Sequence, residues 1–344
     1  MIVAGIDEAG YGPTLGPLVV SVSVFRIHEQ CAPEADAAAL PDPQDLWARL
    51  DGAVCRKPDG LRIPVDDSKK LFHQNQKKGL QDLEEGVLPF IYLREGVLHR
   101  DFRSFLARVA RRGSALGRRE TTSPEAYLDE YPWYRERNLD MPIDTYPAVV
   151  RSRARKLREA LDATKVELIG LAAWPVEVLE FNRSLSESEN KALVSFHAVG
   201  SFLERLYRRF PEERVEVLVD RQGGRMRYGP LLYENVRPKT IRIEAQTDEL
   251  STYLLVRGRR SGMPFRVSFA VDCETRSFPV SLASMLSKYI REAHMVLFNR
   301  FWKEHMSELE PTAGYAVDAR RFLGAIHDLR GRLGIDDALL VRRR

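Results

Sequence analysis

The chain has 344 residues, of which 44% are hydrophobic and 30% are charged, and its formal net charge is +4 at pH 7. This size suits one large domain with insertions or two domains, and the small positive excess means that any contact with nucleic acid has to come from local basic patches. The three cysteines, Cys31, Cys55 and Cys273, are far apart, which excludes a short-spaced zinc site and argues against a disulfide framework.

The N-terminal stretch from Val3 to Val20 predicts a strand, a glycine-rich turn and a second strand. Three glycines and two prolines at 10–17 supply the turn. Asp7 and Glu8 stand where the first strand runs out. Two carboxylates at a strand end, beside exposed backbone N–H groups, can hold divalent cations and meet phosphate, whereas the simpler interpretation is a charged pair that caps a hairpin.

Residues 30–62 are rich in Ala, Pro and Asp and predict a surface insertion. A short helix is predicted just after it, because Asp67 or Ser68 is a suitable N-cap. A pair of lysines that begins at Lys69 comes next. These two side chains are therefore either exposed or face an anion.

Residues 73–160 are the least regular part of the chain and predict a mainly helical insertion subdomain. Arginines crowd the stretch 100–119, and four tyrosines and a tryptophan follow among prolines between 127 and 146. Basic residues interleaved with aromatic ones can bind a single strand or a duplex backbone. The alternative is a solvated helix that covers a small aromatic core, and we favour it because charge runs are common on protein surfaces.

Regular secondary structure returns in residues 161–330. The predicted elements are, in order, a strand at 165–174, an amphipathic helix at 189–210, a strand at 214–220, strands at 240–245 and 264–271, a long helix at 281–305 and a last helix that ends at 330. Strands with helices between them predict an α/β fold with a mixed sheet, which the first hairpin makes partly antiparallel. The main domain is expected in 1–72 and 161–330, and 331–344 is expected to be a frayed basic tail.

Carboxylates occur at three separate places on predicted core elements: Asp7 with Glu8, Asp220, and Glu292. If they converge on one sheet edge, they suit two cations that take oxygen ligands, activate water and stabilise an in-line phosphoryl displacement. Glu292 has a simpler interpretation, since its spacing of four from Lys288 is typical of a surface salt bridge. Neighbouring strand residues point to opposite faces, so Asp7 and Glu8 share a site only if the strand end is irregular or one of them is peripheral.

The residues around these carboxylates resemble the motifs of the type 2 ribonucleases H, the group of ribonucleases HII and HIII. The first motif corresponds to GIDEAGYGPTLGP at 5–17, and the second, DSKKL at 67–71, matches the family residue for residue. A strand that ends in aspartate at 217–220, the helix LASMLSKYIRE at 282–292 and a Gly-Tyr pair at 314–315 follow in the family's order. The stretches that these motifs anchor are 1–27, 64–72, 164–225 and 264–330.

The resemblance implies a ribonuclease H-like fold, with a mixed five-stranded sheet flanked by helices and with C-terminal helices. It also implies hydrolysis of the RNA strand of RNA/DNA hybrids by a two-metal mechanism with Mg²⁺ or Mn²⁺. The metal-binding and catalytic carboxylates that it carries over are Asp7, Glu8, Asp220 and Glu292. The substrate-binding residues are Gly10, Tyr11 and Gly12, which would sense the ribose 2′-OH, Ser68 and Lys69 near the phosphate, and Tyr315 at the sugar.

Two positions depart from ribonuclease HII. Tyr11 stands where that enzyme has arginine, which removes a cation near the scissile junction, and Glu292 stands where it has aspartate. Ribonuclease HIII is similar to this chain at both positions, although it carries an extra N-terminal domain and the first motif here begins at residue 5. We therefore expect activity on runs of ribonucleotides, with weak or no preference for a single embedded ribonucleotide.

Two other functions would keep the same fold. Loss of a carboxylate would indicate a non-catalytic nucleic-acid-binding protein, but all four positions are acidic. A nuclease for DNA junctions or transposon ends is the other alternative, because the 73–160 insertion leaves room for a different substrate. With no apolar run long enough to span a bilayer and no signal-peptide pattern, we expect a monomeric cytoplasmic protein that binds an RNA/DNA hybrid and no membrane.

Overall fold

The computed structural model describes residues 1–28, 45–72, 79–110, 127–188, 190–258 and 262–343. Its strands are β1 (Ile2–Ala9), β2 (Leu18–Ile27), β3 (Val54–Cys55), β4 (Ile63–Pro64), β5 (Val166–Val176), β6 (Val215–Asp220), β7 (Thr240–Gln246), β8 (Leu250–Val256) and β9 (Phe265–Ala270). Its helices are α1 (Leu46–Arg49), α2 (Ser68–Leu71), α3 (Gln81–Glu95), α4 (Phe102–Val109), α5 (Pro147–Thr164), α6 (Val178–Ser188), α7 (Lys191–Arg209), α8 (Gly229–Val236), α9 (Phe278–His305), α10 (Ala316–Ala325), α11 (His327–Arg332) and α12 (Asp337–Leu340). None of the described helices has the length and apolarity needed to cross a membrane.

One mixed sheet organises the described residues, which confirms the predicted α/β class. Its order is β5-β2-β1-β6-β9-β8-β7, with β1, β6 and β9 parallel to one another and the remaining neighbours antiparallel. The sheet has seven strands in this part of the chain instead of the expected five, because the β7–β8 hairpin extends it beyond β9. Strand β8 is not predicted from the sequence, because its residues are largely buried on both faces and therefore show no alternation.

Helix α9 covers one face of the sheet, and α7 and α8 cover the other. Helix α9 packs along β1 and β2 and is buried over most of its length. Along β1, Ile2, Ala4 and Ile6 belong to the core shared with α7 and α8, whereas Val3 belongs to the core shared with α9. This alternation places Asp7 on the α9 side of β1 and Glu8 on the α7 side.

The described part of the 73–160 segment packs directly against the main domain. Helix α3 contacts both α9 and α5. Tyr131, Trp133 and Tyr134 are buried, and the Trp133 ring lies 5.2 Å from that of Phe298 on α9. These aromatic side chains are therefore core residues, in line with the interpretation favoured above. The arginines at 111–119, which belonged to the possible nucleic-acid-binding stretch, lie outside the described residues.

The C-terminal segment is folded, so the prediction of a frayed tail was wrong. Leu340 in α12 is fully buried. The backbone N–H of Arg342 donates to the carbonyl oxygen of Thr14 at 2.9 Å, and the side-chain amide of Asn182 donates to the carbonyl oxygen of Val341 at 2.9 Å. Apolar burial and these two contacts fix the segment against the glycine-rich loop and α6.

Gly5 allows α9 to lie directly on β1, and replacing it with alanine should destabilise the fold. A Cβ on Gly5 would stand 2.2 Å from the backbone of Pro279 and Val280, so we expect Gly5→Ala to lower the free energy of unfolding by roughly 1–3 kcal/mol. Urea unfolding measures the change. Gly170→Ala in β5 is the matched control, since an added Cβ there meets nothing within 4 Å, and an equal loss in both variants would contradict the close approach of α9.

Candidate active site

Asp7 and Asp220 meet because the strands that carry them are parallel neighbours. The register of β1 and β6 runs from Ile2 with Val215 to Ile6 with Val219, so the two aspartates come next on adjacent strands. Burial raises the pKa of Asp7 well above its usual value, and among the charged neighbours Asp220 adds most to that shift. The sequence therefore places two like charges side by side at the rim of the core.

Helix α9 holds the backbone at Asp7, whereas the Asp7 carboxylate accepts a hydrogen bond from its own strand. Its Oδ1 accepts a hydrogen bond from the backbone N–H of Glu8 at 2.7 Å, and its Oδ2 is buried with no hydrogen-bond partner in the described part of the chain. Ser287 of α9 donates to the Asp7 carbonyl oxygen at 3.1 Å and shares a hydrogen bond of 2.8 Å with Ser21. A buried carboxylate oxygen without a donor is costly unless the group is protonated or bound to a cation.

Glu274, which is not among the predicted site residues, is the fourth member of the cluster. It is buried in a single 3-10 turn, Cys273–Thr275, that follows β9. The backbone N–H of Cys273 in this turn donates to Asp220 Oδ1 at 3.1 Å. Burial raises the pKa of Asp220 to about 6, the Cys273 N–H opposes the rise, and repulsion from Glu274 adds to it. Glu274 also raises the pKa of Asp7.

The sequence does contain a signal for Glu274. Asp272 and Glu274 follow the buried strand β9 much as Asp220 ends β6. Asp272 is exposed and has a left-handed backbone with φ of 53°, so the chain turns there and Glu274 becomes the buried member of the pair.

Glu8 reaches the cluster from the other face of the sheet. β1 keeps its register with β2 as far as Ala9 opposite Val19, so the irregular strand end considered above does not occur. Asp7 and Glu8 therefore point to opposite faces, as strand geometry requires.

Gln222, two residues beyond Asp220, holds the Glu8 side chain. Its amide nitrogen donates to Glu8 Oε2 at 3.2 Å and to the Ser195 hydroxyl of α7 at 2.6 Å. Burial raises the pKa of Glu8 to about 8; the Gln222 hydrogen bond opposes this shift, whereas repulsion from Asp220 and Glu274 adds to it. Glu8 is thus electrostatically coupled to the acids on the α9 side.

Glu292 lies outside this cluster, contrary to the prediction. It follows Ser287 by five positions, which turns it roughly 140° around α9 at 3.6 residues per turn. Its Oε1 accepts from Lys288 Nζ at 2.9 Å and from Arg291 Nη1 at 2.7 Å. Its carboxylate borders a separate cavity that Phe72 also lines. The ion pair with Lys288 is present, as the simpler interpretation proposed. The glutamate that adds to the raised pKa values of Asp7 and Asp220 is Glu274.

The predicted glycine loop lies beside these acids. Gly10 has φ of +88°, and a Cβ there would stand 2.6 Å from the Pro17 carbonyl oxygen and 2.7 Å from the Arg291 side chain. Only glycine fits so close to Pro17 and Arg291. Gly12 has open space around it and Tyr11 is half-buried, so this part of the loop is accessible.

Tyr315 is brought to the same loop by backbone contacts. The Gly314 carbonyl oxygen accepts from the backbone N–H groups of Thr14 and Leu15 at 2.7 and 3.2 Å. The Tyr315 ring is half exposed, 5.8 Å from the guanidinium carbon of Arg291. Tyr315 and the loop therefore share Arg291 as a neighbour.

The second motif contributes one buried and one exposed side chain. The Ser68 hydroxyl is buried and shares a hydrogen bond of 3.0 Å with Ser284 of α9, so in this structure it joins α2 to α9 and does not face solvent. Lys69 Nζ donates to Glu274 Oε1 at 2.9 Å, while 79% of its side chain stays exposed. Lys69 thus carries a cation to the edge of the acidic cluster.

Comparison with known proteins gives one sequence relationship. No protein-family model matches the chain. A ribonuclease HII from Sulfurihydrogenibium sp. (strain YO3AOP1) is 23% identical over 107 residues, which are 28% of this chain and 54% of that protein. The chain therefore spans about half the length of the curated relative that it matches.

Solved structures similar to this chain include three ribonucleases H. The RNase HII in the PCNA:RNase HII complex from Archaeoglobus fulgidus is 16% identical with a TM-score of 0.42, over 100% of this chain and 95% of that one. Ribonuclease H2 from Pyrococcus horikoshii OT3 is 14% identical with a TM-score of 0.35, over 99% and 92%, and Aquifex aeolicus RNase H3 is 11% identical with a TM-score of 0.35, over 99% and 71%. These structural likenesses are too weak to carry an argument about function. In its sequence match and in the order of its motifs, this chain is similar to the type 2 ribonucleases H.

Proposed function

We propose that the chain is a divalent-cation-dependent endonuclease that hydrolyses the RNA strand of RNA/DNA hybrids. The observation that carries the proposal is a single cluster of buried and half-buried acids in which desolvation and mutual repulsion raise the pKa values of three members. The members of this cluster are Asp7, Glu8, Asp220 and Glu274. The matched relative is named a ribonuclease HII, which supports the substrate class.

The donor set suits Mg²⁺ or Mn²⁺, which prefer carboxylate oxygens. The buried and unpaired Oδ2 of Asp7 is an oxygen that a cation would satisfy. No three His, Cys, Asp or Glu side chains of the described residues are already close enough together to hold a metal ion, so the carboxylates would have to draw closer on binding. A bound divalent cation would activate water and stabilise charge on the phosphate that is cleaved.

The remaining residues of the site position the substrate. Lys69 is paired with Glu274 but largely exposed, so its ammonium can turn to a substrate phosphate. The backbone of the loop at Gly12 is open to solvent and can approach a ribose 2′-OH, the group that distinguishes RNA from DNA. Gln222 orients Glu8, and Ser287 holds the backbone at Asp7.

Removing Glu274 should abolish most activity, whereas removing Glu292 should not. We expect Glu274→Gln and Asp220→Asn to slow Mg²⁺-dependent nicking of an RNA/DNA hybrid by roughly 100-fold or more, because each removes a ligand charge worth several kcal/mol in the transition state. Glu292→Gln is the matched control and should change the rate only a few-fold per folded molecule. Nicking that is unaffected by Asp220→Asn would refute the metal scheme, and greater loss in Glu292→Gln than in Glu274→Gln would refute the assignment of the fourth acid.

Stability should fall as the pH rises in the absence of divalent cations. The Glu8 carboxyl loses its proton near pH 4.5 in the unfolded chain and near pH 8 in the folded one, so between these values the unfolded state binds fewer protons and stability decreases with rising pH. We expect Glu8→Gln to raise the free energy of unfolding at pH 8 in EDTA by roughly 1–3 kcal/mol. Mg²⁺ should stabilise the wild type more than the variant.

Thermal unfolding at pH 5 and pH 8, with EDTA or Mg²⁺, measures both effects. Glu212→Gln, which changes an exposed glutamate, is the control and should leave the pH dependence unchanged. The coupling of Glu8 to the cluster would be contradicted if the stability of the wild type rose between pH 5 and pH 8 in EDTA, in step with that of Glu8→Gln.

The chain should prefer runs of ribonucleotides to a single embedded ribonucleotide. Tyr11 stands where ribonuclease HII has a loop arginine. If Glu274 is the fourth acid in place of Glu292, that acid is still a glutamate, as in ribonuclease HIII. A panel of hybrid, single-ribonucleotide duplex, double-stranded RNA and branched DNA measures the preference. Faster cleavage of the lone ribonucleotide would refute it, and cleavage of branched DNA alone would replace the proposed substrate.

A further inference from the structure

The C-terminal segment 337–343 holds the glycine-rich loop through a backbone hydrogen bond. The N–H of Arg342 donates to the carbonyl oxygen of Thr14 at 2.9 Å, and the N–H of Thr14 donates to the carbonyl oxygen of Gly314 at 2.7 Å. Thr14 is therefore held through both of its backbone polar groups, two residues after the exposed Gly12. The conformation of the loop near Gly12 thus depends on two parts of the chain that are distant in sequence.

Asn182 of α6 binds this segment on both sides of Arg342. Its side-chain amide donates to the carbonyl oxygens of Ala338 and Val341 at 3.1 and 2.9 Å, and its Oδ1 accepts from the backbone N–H of Arg343 at 2.8 Å. The Asn182 side chain is buried. An asparagine side chain offers two donor hydrogens and one acceptor oxygen, and all of them are used here on the main chain of the segment.

The side chain of Arg342 is directed to α6 and not to the loop. Its guanidinium carbon lies 5.2 Å from the centroid of the Phe181 ring. The guanidinium is buried and has no hydrogen-bond partner among the described residues, which is a cost to the fold. What Arg342 gives to the loop is therefore its backbone N–H.

We propose that Asn182 and the backbone of Arg342 are positioning groups for recognition of the substrate ribose. They act through Thr14 on the loop backbone at Gly12, which is open to solvent and can approach a 2′-OH. The inference rests on the proposed function, because only that substrate brings a 2′-OH to the loop. A loop already held at Thr14 loses less conformational freedom on binding, so these contacts favour an RNA/DNA hybrid over a DNA duplex, which has no 2′-OH.

Binding of an RNA/DNA hybrid and of a DNA duplex of the same sequence, both in EDTA, tests the inference without cleavage. Arg342→Pro removes the backbone N–H, and the extended backbone of Val341, with ψ of 121°, is compatible with a following proline. We expect this variant to bind the hybrid roughly three- to tenfold more weakly, as for the loss of one hydrogen bond, and the DNA duplex within about twofold of wild type. Arg342→Ala is the matched control, because it removes the guanidinium, keeps the N–H and should leave both affinities unchanged.

Asn182→Ala tests the same contact from α6. It should lower thermal stability and weaken binding of the hybrid, again with little effect on the DNA duplex. Asn235→Ala is its control, since it removes another buried amide, which donates to the carbonyl oxygen of Leu231 at 2.8 Å within α8. This control should lower thermal stability and leave the preference for the hybrid unchanged.

Each outcome decides for or against these positioning groups. Unchanged hybrid affinity in Arg342→Pro and Asn182→Ala would overturn the inference, and so would an equal loss in Arg342→Ala or Asn235→Ala, which would indicate a general loss of packing. If one of the two test variants does not fold, as judged by thermal unfolding, the other decides, and loss of folding in both would indicate a structural role only.

The binding assay also separates this inference from the proposed nuclease function. A wild type that binds the hybrid and the DNA duplex equally would overturn the inference, whatever it cleaves. A wild type that prefers the hybrid but cleaves none, and whose preference is lost in Arg342→Pro and Asn182→Ala, would support the inference while refuting the nuclease function.

Discussion

Desolvation of neighbouring carboxyl groups, to which their mutual repulsion adds, is the constraint on which this structure depends. Parallel pairing of β1 with β6 brings Asp7 and Asp220 to adjacent strand ends, and Glu274 joins them from the turn after β9. Lys69 forms an ion pair with Glu274 and also lowers the pKa of Asp220, yet burial still raises that pKa to about 6. The fold therefore keeps the acids together at a cost in stability that the sheet and α9 must offset.

Helix α9 supplies that support through close backbone approach. Gly5 lets the helix begin directly on β1, and Ser287 donates to the carbonyl oxygen of Asp7. Ser284 on the same helix bonds Ser68, which connects the second motif to the first. Arg291, a further turn along, packs under Gly10. One helix with small side chains on its sheet side thus sets the relative positions of three separate sequence motifs.

The sequence was most informative where strand periodicity or the order of motifs carried the signal. Two features could be predicted in this way: the end of β6 at Asp220, and the β1–β2 hairpin that lies next to β6 in the sheet. The acidic pair after β9 is visible in the sequence, but which of its members is buried could not be predicted, because that depends on the left-handed backbone of Asp272 and on a short turn that has no periodicity. Glu292 is predicted to be an active-site acid because it lies on a core helix and at an acidic position of a family motif, but its printed contacts are with Lys288 and Arg291 of the same helix.

Local helix signals were also overridden by tertiary packing in α3. Gly86 and Pro89 interrupt this helix in the sequence, and both residues disfavour a helix interior. In the fold, Gly86 is where α3 meets Met285 of α9, and the buried Glu84 accepts hydrogen bonds from the backbone of residues 143–145. The contacts that stabilise α3 are distant in sequence, so a window of neighbouring residues contains no trace of them.

The glycine-rich loop has tyrosine at position 11, where the motif of ribonuclease HII that it resembles has arginine. Without that side-chain charge, the proposed function leaves recognition of RNA to the open backbone at Gly12. Such a backbone contact would meet a 2′-OH in each ribonucleotide of a continuous run but only once at an isolated one.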